Sequence, residues 1–350
     1  MQRALARRNI SLLDIGLIRF FKKLLIFCVI AAALLAGAVV WWSKRPLPLG
    51  QSRVEFVVAA NESAYALAQN LSNASVQTPP FLLEAWLGLT GQSNRFQAGH
   101  YELRKGDTPR TLLRKLVRGE FSLKKFRIGE GWNMRQLRAA LGKAEGLKNE
   151  SASLDDAALM RAVGAQEGRG AEGMFFPDTY KYADDTSDLE ILRLAHKTMQ
   201  RKLDAAWQSR APDLPLQSPY ELLTLASIIE KETGYGPDLP MVSSVMVNRL
   251  RINMRLQTDP TVIYGMGEAY DGKLRKADLQ RDTPYNTYTR QGLPPSPIAM
   301  PSEAALAAAA SPAESKALYF VARNDGTGSC EFSVTLQAHN RAVQRFILKK

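Results

Sequence analysis

Three segments in the second half of the chain gather polar side chains that a purely structural domain has no need to place together. Residues 220–234 read YELLTLASIIEKETG, 247–265 read VNRLRINMRLQTDPTVIYG, and 283–301 read TPYNTYTRQGLPPSPIAMP. The first has a helical period: at about 100° per residue, Leu222, Leu225, Ala226 and Ile229 share one stripe. Glu230 falls on one margin of that stripe, beside Leu223 and Ala226, and Glu232 on the other. A carboxyl at an apolar edge loses hydration, and desolvation keeps its proton available for donation. Cleavage of a glycosidic bond requires such a group, because the departing sugar oxygen must be protonated. The periodicity does not choose between Glu230 and Glu232, and two surface acids paired with Lys231 or with distant arginines would give the same pattern.

The other two segments read as binding loops. Gln257, Thr258 and Asp259 form a turn ended by Pro260, followed by a short helix carrying Tyr264. Tyr285, Asn286, Thr287, Tyr288 and Arg290 lie between turn-forming prolines. Amides, hydroxyls and tyrosine rings suit a sugar, whose hydroxyls need paired donors and acceptors and whose C–H faces stack on rings. Proline-rich loops also occur simply as packed surface. The candidate site is therefore one acid of the Glu230/Glu232 pair, with Asn248, Gln257, Asp259, Tyr264, Tyr285, Asn286 and Arg290 around it. Ser227 lacks the G-x-S-x-G surroundings of a nucleophile. Residues 164–170 do not form a dinucleotide fingerprint, and no Walker A is present. His100, His196 and His339 stand apart without metal-ligand spacing, so neither metal nor cofactor is expected.

These loops need a sizeable domain to hold them, and the chain of 350 residues, 45% hydrophobic and 23% charged, is long enough to supply it. Part of the apolar content belongs to a membrane. Residues 24–42, LLIFCVIAAALLAGAVVWW, carry no charge and as a helix would be about 29 Å long, close to the hydrocarbon thickness of a bilayer. Arg3, Arg7, Arg8, Arg19, Lys22 and Lys23 precede the run, with Asp14 the lone acid, while Lys44 and Arg45 follow it. That bias predicts residues 1–23 in the cytoplasm and everything after Trp42 outside. A cleaved signal peptide would have a shorter run and a small-x-small site after it; here Ala36, Gly37 and Ala38 lie inside and two tryptophans close it. Cys28 within the span and Cys330 near the far end cannot pair. The net charge of +12 is spread along an external chain, which argues against nucleic acid and suits an anionic polymer or lipid headgroups.

Outside the membrane an α+β fold is expected: a tether at 43–51, a small α/β module at 52–125 and a mixed α/β catalytic domain at 126–350. In the module, strands at 54–58 and 100–103 each lead through a polar turn into a helix, 63–71 and 109–118, with another helical pattern from Pro80 to Leu87. Thr108 caps the 109–118 helix and Pro109 sits where proline is tolerated. The YELRKGDT run at 101–108 before that helix resembles the LysM-like arrangement of modules that touch cell-wall glycan. Beyond it, a strand at 126–129, a helix at 134–141 capped by Asn133, a polar loop or linker at 142–156 and a helix at 189–209 are expected. In the last, Ile191, Leu192, Leu194, Ala195, Met199, Leu203 and Trp207 face inward.

The order ASIIEKET (226–233), VNRL (247–250), MRLQTDPTVIYG (254–265), TPYNTY (283–288) and GLPPSPI (292–298) resembles the endolytic murein transglycosylase, or YceG-like, family. EGMFFPDTYKY (172–182) and HNRAVQRF (339–346) fit the same pattern, so the resemblance covers nearly the whole chain. It implies a bacterial inner-membrane enzyme with a periplasmic catalytic domain. Such an enzyme cleaves nascent glycan strands internally at the β-1,4 bond between N-acetylmuramic acid and N-acetylglucosamine, leaving a 1,6-anhydro end. By that resemblance Glu230 is the catalytic acid, Glu232 joins the residues lining or supporting the groove, and no cofactor is needed. Glycan strands, membrane lipid and peptidoglycan synthases are the implied partners. The chain departs from the family pattern at Ser296 (glycine in the family), at Met300 (asparagine) and in SCEFSVTL near Cys330 and Val334, where relatives carry a histidine. Two other readings stay open: a hydrolytic muramidase using Asp259 to activate water, and a membrane-tethered glycan-binding or cell-division scaffold without catalysis.

Overall fold

The computed structural model describes residues 12–165 and 168–348; Arg3, Arg7 and Arg8, on which part of the charge bias rests, lie outside them. Helix α1 (Leu12–Ser43) begins well before the apolar run, since the helical backbone continues through Arg19, Lys22 and Lys23. Its stretch Lys22–Ser43 is long and apolar enough to cross a membrane, and no residue of its most apolar window is buried. A helix with apolar side chains on every side, left uncovered except in its last turn, supports a single-pass membrane protein.

The chain then divides into two compact units between Ser122 and Leu123. The first continues with β1 (Arg53–Val58), α2 (Ala64–Asn73), α3 (Pro80–Leu89), β2 (Gly99–Arg104) and α4 (Pro109–Arg118). β1 alternates outward and inward residues, and it pairs antiparallel with β2, Phe56 opposite Tyr101. Ser63 caps α2 by accepting the Ala66 N–H. Thr108 and Thr111 form a reciprocal capping box on α4, which ends at Gly119 in the left-handed region, φ 64°. Leu67, Leu71, Leu83, Leu87, Tyr101, Leu103, Leu112 and Leu116 are fully buried between helices and strands. Residues 43–51, expected as a tether, are packed instead. Ser43 and Leu47 are buried, the Leu47 N–H donates to Asp107 O at 2.7 Å and the Gln77 N–H to Pro48 O at 2.8 Å.

The second unit runs β3 (Lys124–Arg127), α5 (Met134–Leu141), β4 (Leu147–Lys148), α6 (Asp156–Ala162), β5 (Thr179–Tyr182), β6 (Thr186–Ser187), α7 (Asp188–Gln208), α8 (Pro219–Glu232), α9 (Leu239–Arg251), α10 (Asp259–Met266), α11 (Lys276–Gln280), α12 (Glu303–Ala310), β7 (Tyr319–Ala322), β8 (Cys330–Ser333) and α13 (Leu336–Val343). Among the described residues its strands pair in twos: β3 with β5, β4 with β6, and β7 with β8. Helices carry most of the core, as a mixed α/β arrangement.

One expectation is narrowed here and one changes. Of the loop and linker readings of 142–156, the structure has an ordered loop: β4 pairs parallel with β6, and Asp188, fully buried, accepts the N–H groups of Glu150 and Ser151 and the Ser151 hydroxyl at 2.5 Å. These bonds join segments far apart in sequence, which local composition does not reveal. Leu194, expected inward, is exposed, because α7 is covered along a narrower face than its apolar residues would allow.

α8 is the centre of the unit, packed by α7, α9, α10 and α12. Ser218 caps it with Pro219 at the first helical position, and every residue from Leu222 to Ile229 is buried. The amphipathic stripe expected from Leu222, Leu225, Ala226 and Ile229 is thus a helix buried all round. Its polar residues are satisfied internally: the Thr224 hydroxyl donates to Tyr220 O, the Ser227 hydroxyl donates to Thr224 O, and Ser227 Oγ accepts the Ile298 N–H at 3.0 Å. Both hydrogen-bonding roles of Ser227 are filled by these two bonds, so its hydroxyl is a structural tie.

Candidate active site

Glu230 emerges at the end of this buried rod, where the chain must leave the core. Its Oε2 accepts two hydrogen bonds from one residue, the Ser302 N–H at 2.9 Å and the Ser302 hydroxyl at 2.6 Å. Ser302 is also the N-cap of α12, its Oγ accepting the Ala305 N–H, so the carboxylate sits at a helix N-terminus where donors point outward. The loop 129–132 closes the other side. The Gly131 N–H donates to Met300 O at 2.8 Å and the Met300 N–H to Trp132 O at 2.7 Å, while Lys231 Nζ donates to Gly131 O. Gly131 has φ +68°, and a Cβ there would stand 3.7 Å from Glu230 Cγ.

A cavity of about 630 Å³ opens beside Gly131 and Lys231, with Glu172, Tyr264, Tyr285, Asn133 and Arg135 in its wall. Glu172 is buried; it accepts the Met134 N–H at the start of α5 (3.1 Å) and the Tyr264 hydroxyl (3.1 Å). Burial pushes its carboxyl up to about 7 against the pull of those donors. The Tyr264 ring meets Tyr285 edge-on at 4.9 Å, and the Tyr285 and Ser296 hydroxyls are 2.7 Å apart. Ser296 lines a second cavity of about 870 Å³ along the first turns of α8, with Arg169, Gln217, Tyr220 and Glu221. Neither Glu230 nor Glu172 borders that larger cavity, so size alone does not mark the chemistry.

Glu232 points away from Glu230, about 200° around the helix. Part of its side chain reaches solvent, but protein crowds its carboxyl; desolvation and then the like charge of Asp259 push it up to about 8, with Arg249 pulling the other way. Burial thus raises two carboxyls of this unit, Glu232 and Glu172. Exposed Asp259, at the start of α10, accepts the Tyr288 hydroxyl at 2.5 Å.

The remaining candidates separate by what their polar atoms already hold. Tyr264 and Tyr285 meet on the cavity wall. Asn286 is fully buried, its amide N–H groups donating to Asp278 O, Leu279 O and Arg281 O while Oδ1 accepts the Tyr288 N–H. Asn248 donates to Ser315 O and Ala317 O and accepts from Arg251. Both asparagines pin loops. Arg290 is exposed and forms a two-pronged pair with Asp282 at 2.9 and 3.0 Å. Gln257 is exposed with φ 52°, its N–H donating to Thr287 O. Glu172 and Ser302 were absent from the sequence-based candidates. Glu172 stands in the EGMFFPDTYKY motif, but nothing local shows that Tyr264, 92 positions later, reaches it.

The fold and site define a helix-rich α+β protein built around a carboxylate beside a polar, tyrosine-lined cleft. The profile of the YceG-like family matches residues 56–345. A protein from Bacillus subtilis (strain 168) named endolytic murein transglycosylase is 31% identical over 316 residues, spanning 86% of each chain. Another of that name, from Streptococcus pneumoniae serotype 2, is 28% identical over 287 residues, covering 73% of this chain and 51% of the relative. A crystal structure of a YceG-like protein from Listeria monocytogenes matches with a TM-score of 0.52 and 29% identity, covering 83% of this chain and 99% of that one. The chain belongs to the YceG-like family.

Proposed function

We propose that this chain is an endolytic murein transglycosylase that cuts nascent peptidoglycan strands at the β-1,4 bond between N-acetylmuramic acid and N-acetylglucosamine. The observation that carries the reading is Glu230 held by Ser302 and packed against Gly131, which with Lys231 lines the Tyr264/Tyr285 cavity; the names of its relatives supply the reaction class. Glu230 first gives a proton to the leaving oxygen as the C1–O bond breaks, and the two Ser302 donors stabilise the charge that develops on its carboxylate. Glu230 then takes the proton of the muramic C6 hydroxyl as that oxygen bonds to C1, closing the 1,6-anhydro ring. The substrate supplies its own nucleophile, so proximity replaces a second catalytic carboxylate.

In this reading the span holds the enzyme in the inner membrane with residues 1–23 cytoplasmic and the catalytic part, 126–350, in the periplasm. Residues 52–125 act as a LysM-like glycan-contacting module, supported by the β–α–α–β order from β1 to β2. Cleavage near the membrane would end growing strands alongside peptidoglycan synthases. The test is mass spectrometry of products made by the full chain from uncrosslinked strands, beside Glu230→Gln. Anhydro ends absent in the variant support the proposal; reducing ends mean a hydrolase, and release that survives Glu230→Gln removes Glu230 from the mechanism.

A further inference from the structure

α3 reads PFLLEAWLGL and is apolar on both sides. Leu83 and Leu87 fill the first unit's core, while Phe81, Leu82, Ala85, Gly88 and Leu89 are all exposed. At about 100° per residue those five fall within one arc of about 120°. Phe81 is 66% and Leu89 75% exposed. The helix's one charge, Glu84, is partly buried and stands at the margin of the arc. A helix apolar all round belongs in a core or against lipid, and this one has a single face in the core.

The span ends beside this face. Trp42, in the last turn of α1, packs edge-on against Trp86 of α3, ring centroids 6.3 Å apart. The Trp86 indole N–H donates to Pro109 O at the start of α4. Arg45 lies over the Trp41 ring at 4.3 Å. Next to this junction a groove of about 550 Å³ is lined by Lys44, Arg110, Arg114 and Arg118, with Gln92 and Thr111, and contains no acid in its wall. Arg114 pairs with Glu120 at 3.3 Å; Lys44, Arg110 and Arg118 have no ion-pair partner among the described residues.

We propose that the exposed face of α3 and the basic groove of α4 form one docking surface for the leaflet from which the chain leaves α1. The apolar face enters the acyl boundary, and the groove takes the phosphates of anionic phospholipids. Three observations point to lipid. The surface is continuous with a helix already exposed for a bilayer. Tryptophans and arginines gather where an interface would lie. The groove's charge is opposite to that of the headgroups, which guanidinium groups bind through paired N–H donors.

The inference rests on α1 remaining as an anchor, and the test separates the two. The full chain with Cys28→Ala, Cys330→Ala and Leu89→Cys would carry a fluorophore at position 89. It is then placed in nanodiscs of phosphatidylcholine alone or with roughly one third phosphatidylglycerol, with and without spin-labelled quenching lipid. The expected result is strong quenching in the anionic discs. The quenched fraction falls when Arg110→Gln and Arg118→Gln are added, the docked-to-free ratio dropping roughly fivefold per charge, and falls again in about 0.5 M salt. An embedded chain whose label is not quenched overturns the docking surface alone. Equal quenching with and without phosphatidylglycerol overturns the headgroup groove. Shielding that grows only with the number of chains per disc makes a second copy the occupant and overturns the proposal. A chain that does not co-elute with the discs overturns anchor and docking together.

Discussion

Ser302 places both its N–H and its hydroxyl on one oxygen of Glu230, at 2.9 and 2.6 Å, while its own Oγ caps α12. One residue therefore fixes the rotamer of the candidate acid and the start of a core helix. Ser302→Ala removes one donor to the carboxylate and the cap together. A hydrogen bond to a charged group is worth about 1.5–3 kcal/mol, so glycan cleavage should fall on the order of tenfold to a hundredfold. Loss of the cap should lower stability by about 1 kcal/mol. Ser302→Thr keeps both bonds and should restore most of each. Turnover and thermal melting of the two variants check this; an Ala variant with unchanged turnover separates Ser302 from the chemistry.

Glu172 should leave a signature in stability against pH. Its carboxyl is raised from 4.5 to about 7 by burial. Between those values the unfolded chain has released this proton while the native protein retains it, so stability falls as pH rises across that window. Glu172→Gln keeps an acceptor for the Met134 N–H and the Tyr264 hydroxyl, and needs no proton. The variant should melt higher than the parent at pH 8 and show a shallower slope between 4.5 and 7. Melting curves at a series of pH values test this; parallel slopes would count against a proton held at Glu172.

Asp259 raises Glu232 by like-charge repulsion, after desolvation, while Arg249 opposes the shift. Asp259→Asn should therefore bring the Glu232 titration below about 8. Arg249 also donates to Leu318 O and Leu256 O, so replacing it would confuse charge with packing, and Asp259 is the cleaner handle. Carbon NMR of labelled glutamate side chains reads the titration directly, and an unmoved Glu232 would mean the two carboxyls do not sense each other.

Gly173 is a packing requirement of the site. It has φ +76°, and a Cβ would lie 2.5 Å from Pro297 Cβ and 3.2 Å from Ala299 O. Gly173→Ala must move the 297–302 strip that carries Ser302. The expectation is a loss of several kcal/mol from strain and overpacking, with activity lost alongside. Gly131→Ala meets only ordinary contacts and should lose about 1 kcal/mol from its positive φ alone. Denaturant melts of the pair measure the difference.

Local chemistry in the sequence reached some of this structure and not the rest. The helices at Pro109–Arg118 and Met134–Leu141 were legible to the residue because their caps, Thr108 and Asn133, act within three positions. At 142–156 the sequence leaves a loop and a linker equally open, because the partner that orders the stretch, Asp188, lies some 37 positions away. In α8 the apolar residues announced a helix, but four helices around it bury the polar positions Thr224 and Ser227 as well, so an apolar stripe was only part of its contact surface. Glu230 and Glu232 stayed equivalent on the wheel. What distinguishes them is Ser302 on one side and Arg249 with Asp259 on the other, all brought in by tertiary contacts. For Asn248 and Asn286, expected to line or support the groove, an amide's composition does not reveal which loop carbonyls it serves.

Leu47, four residues beyond α1, is inserted in the core of the module, and its N–H is bonded to Asp107. The connection from span to module consequently has no slack. A twist or lateral pull on the transmembrane helix reaches the module's interior within one turn of chain, as a torque on a shaft reaches a keyed wheel. Lengthening the 43–51 connection would therefore change how force is transmitted as well as how far the module can extend.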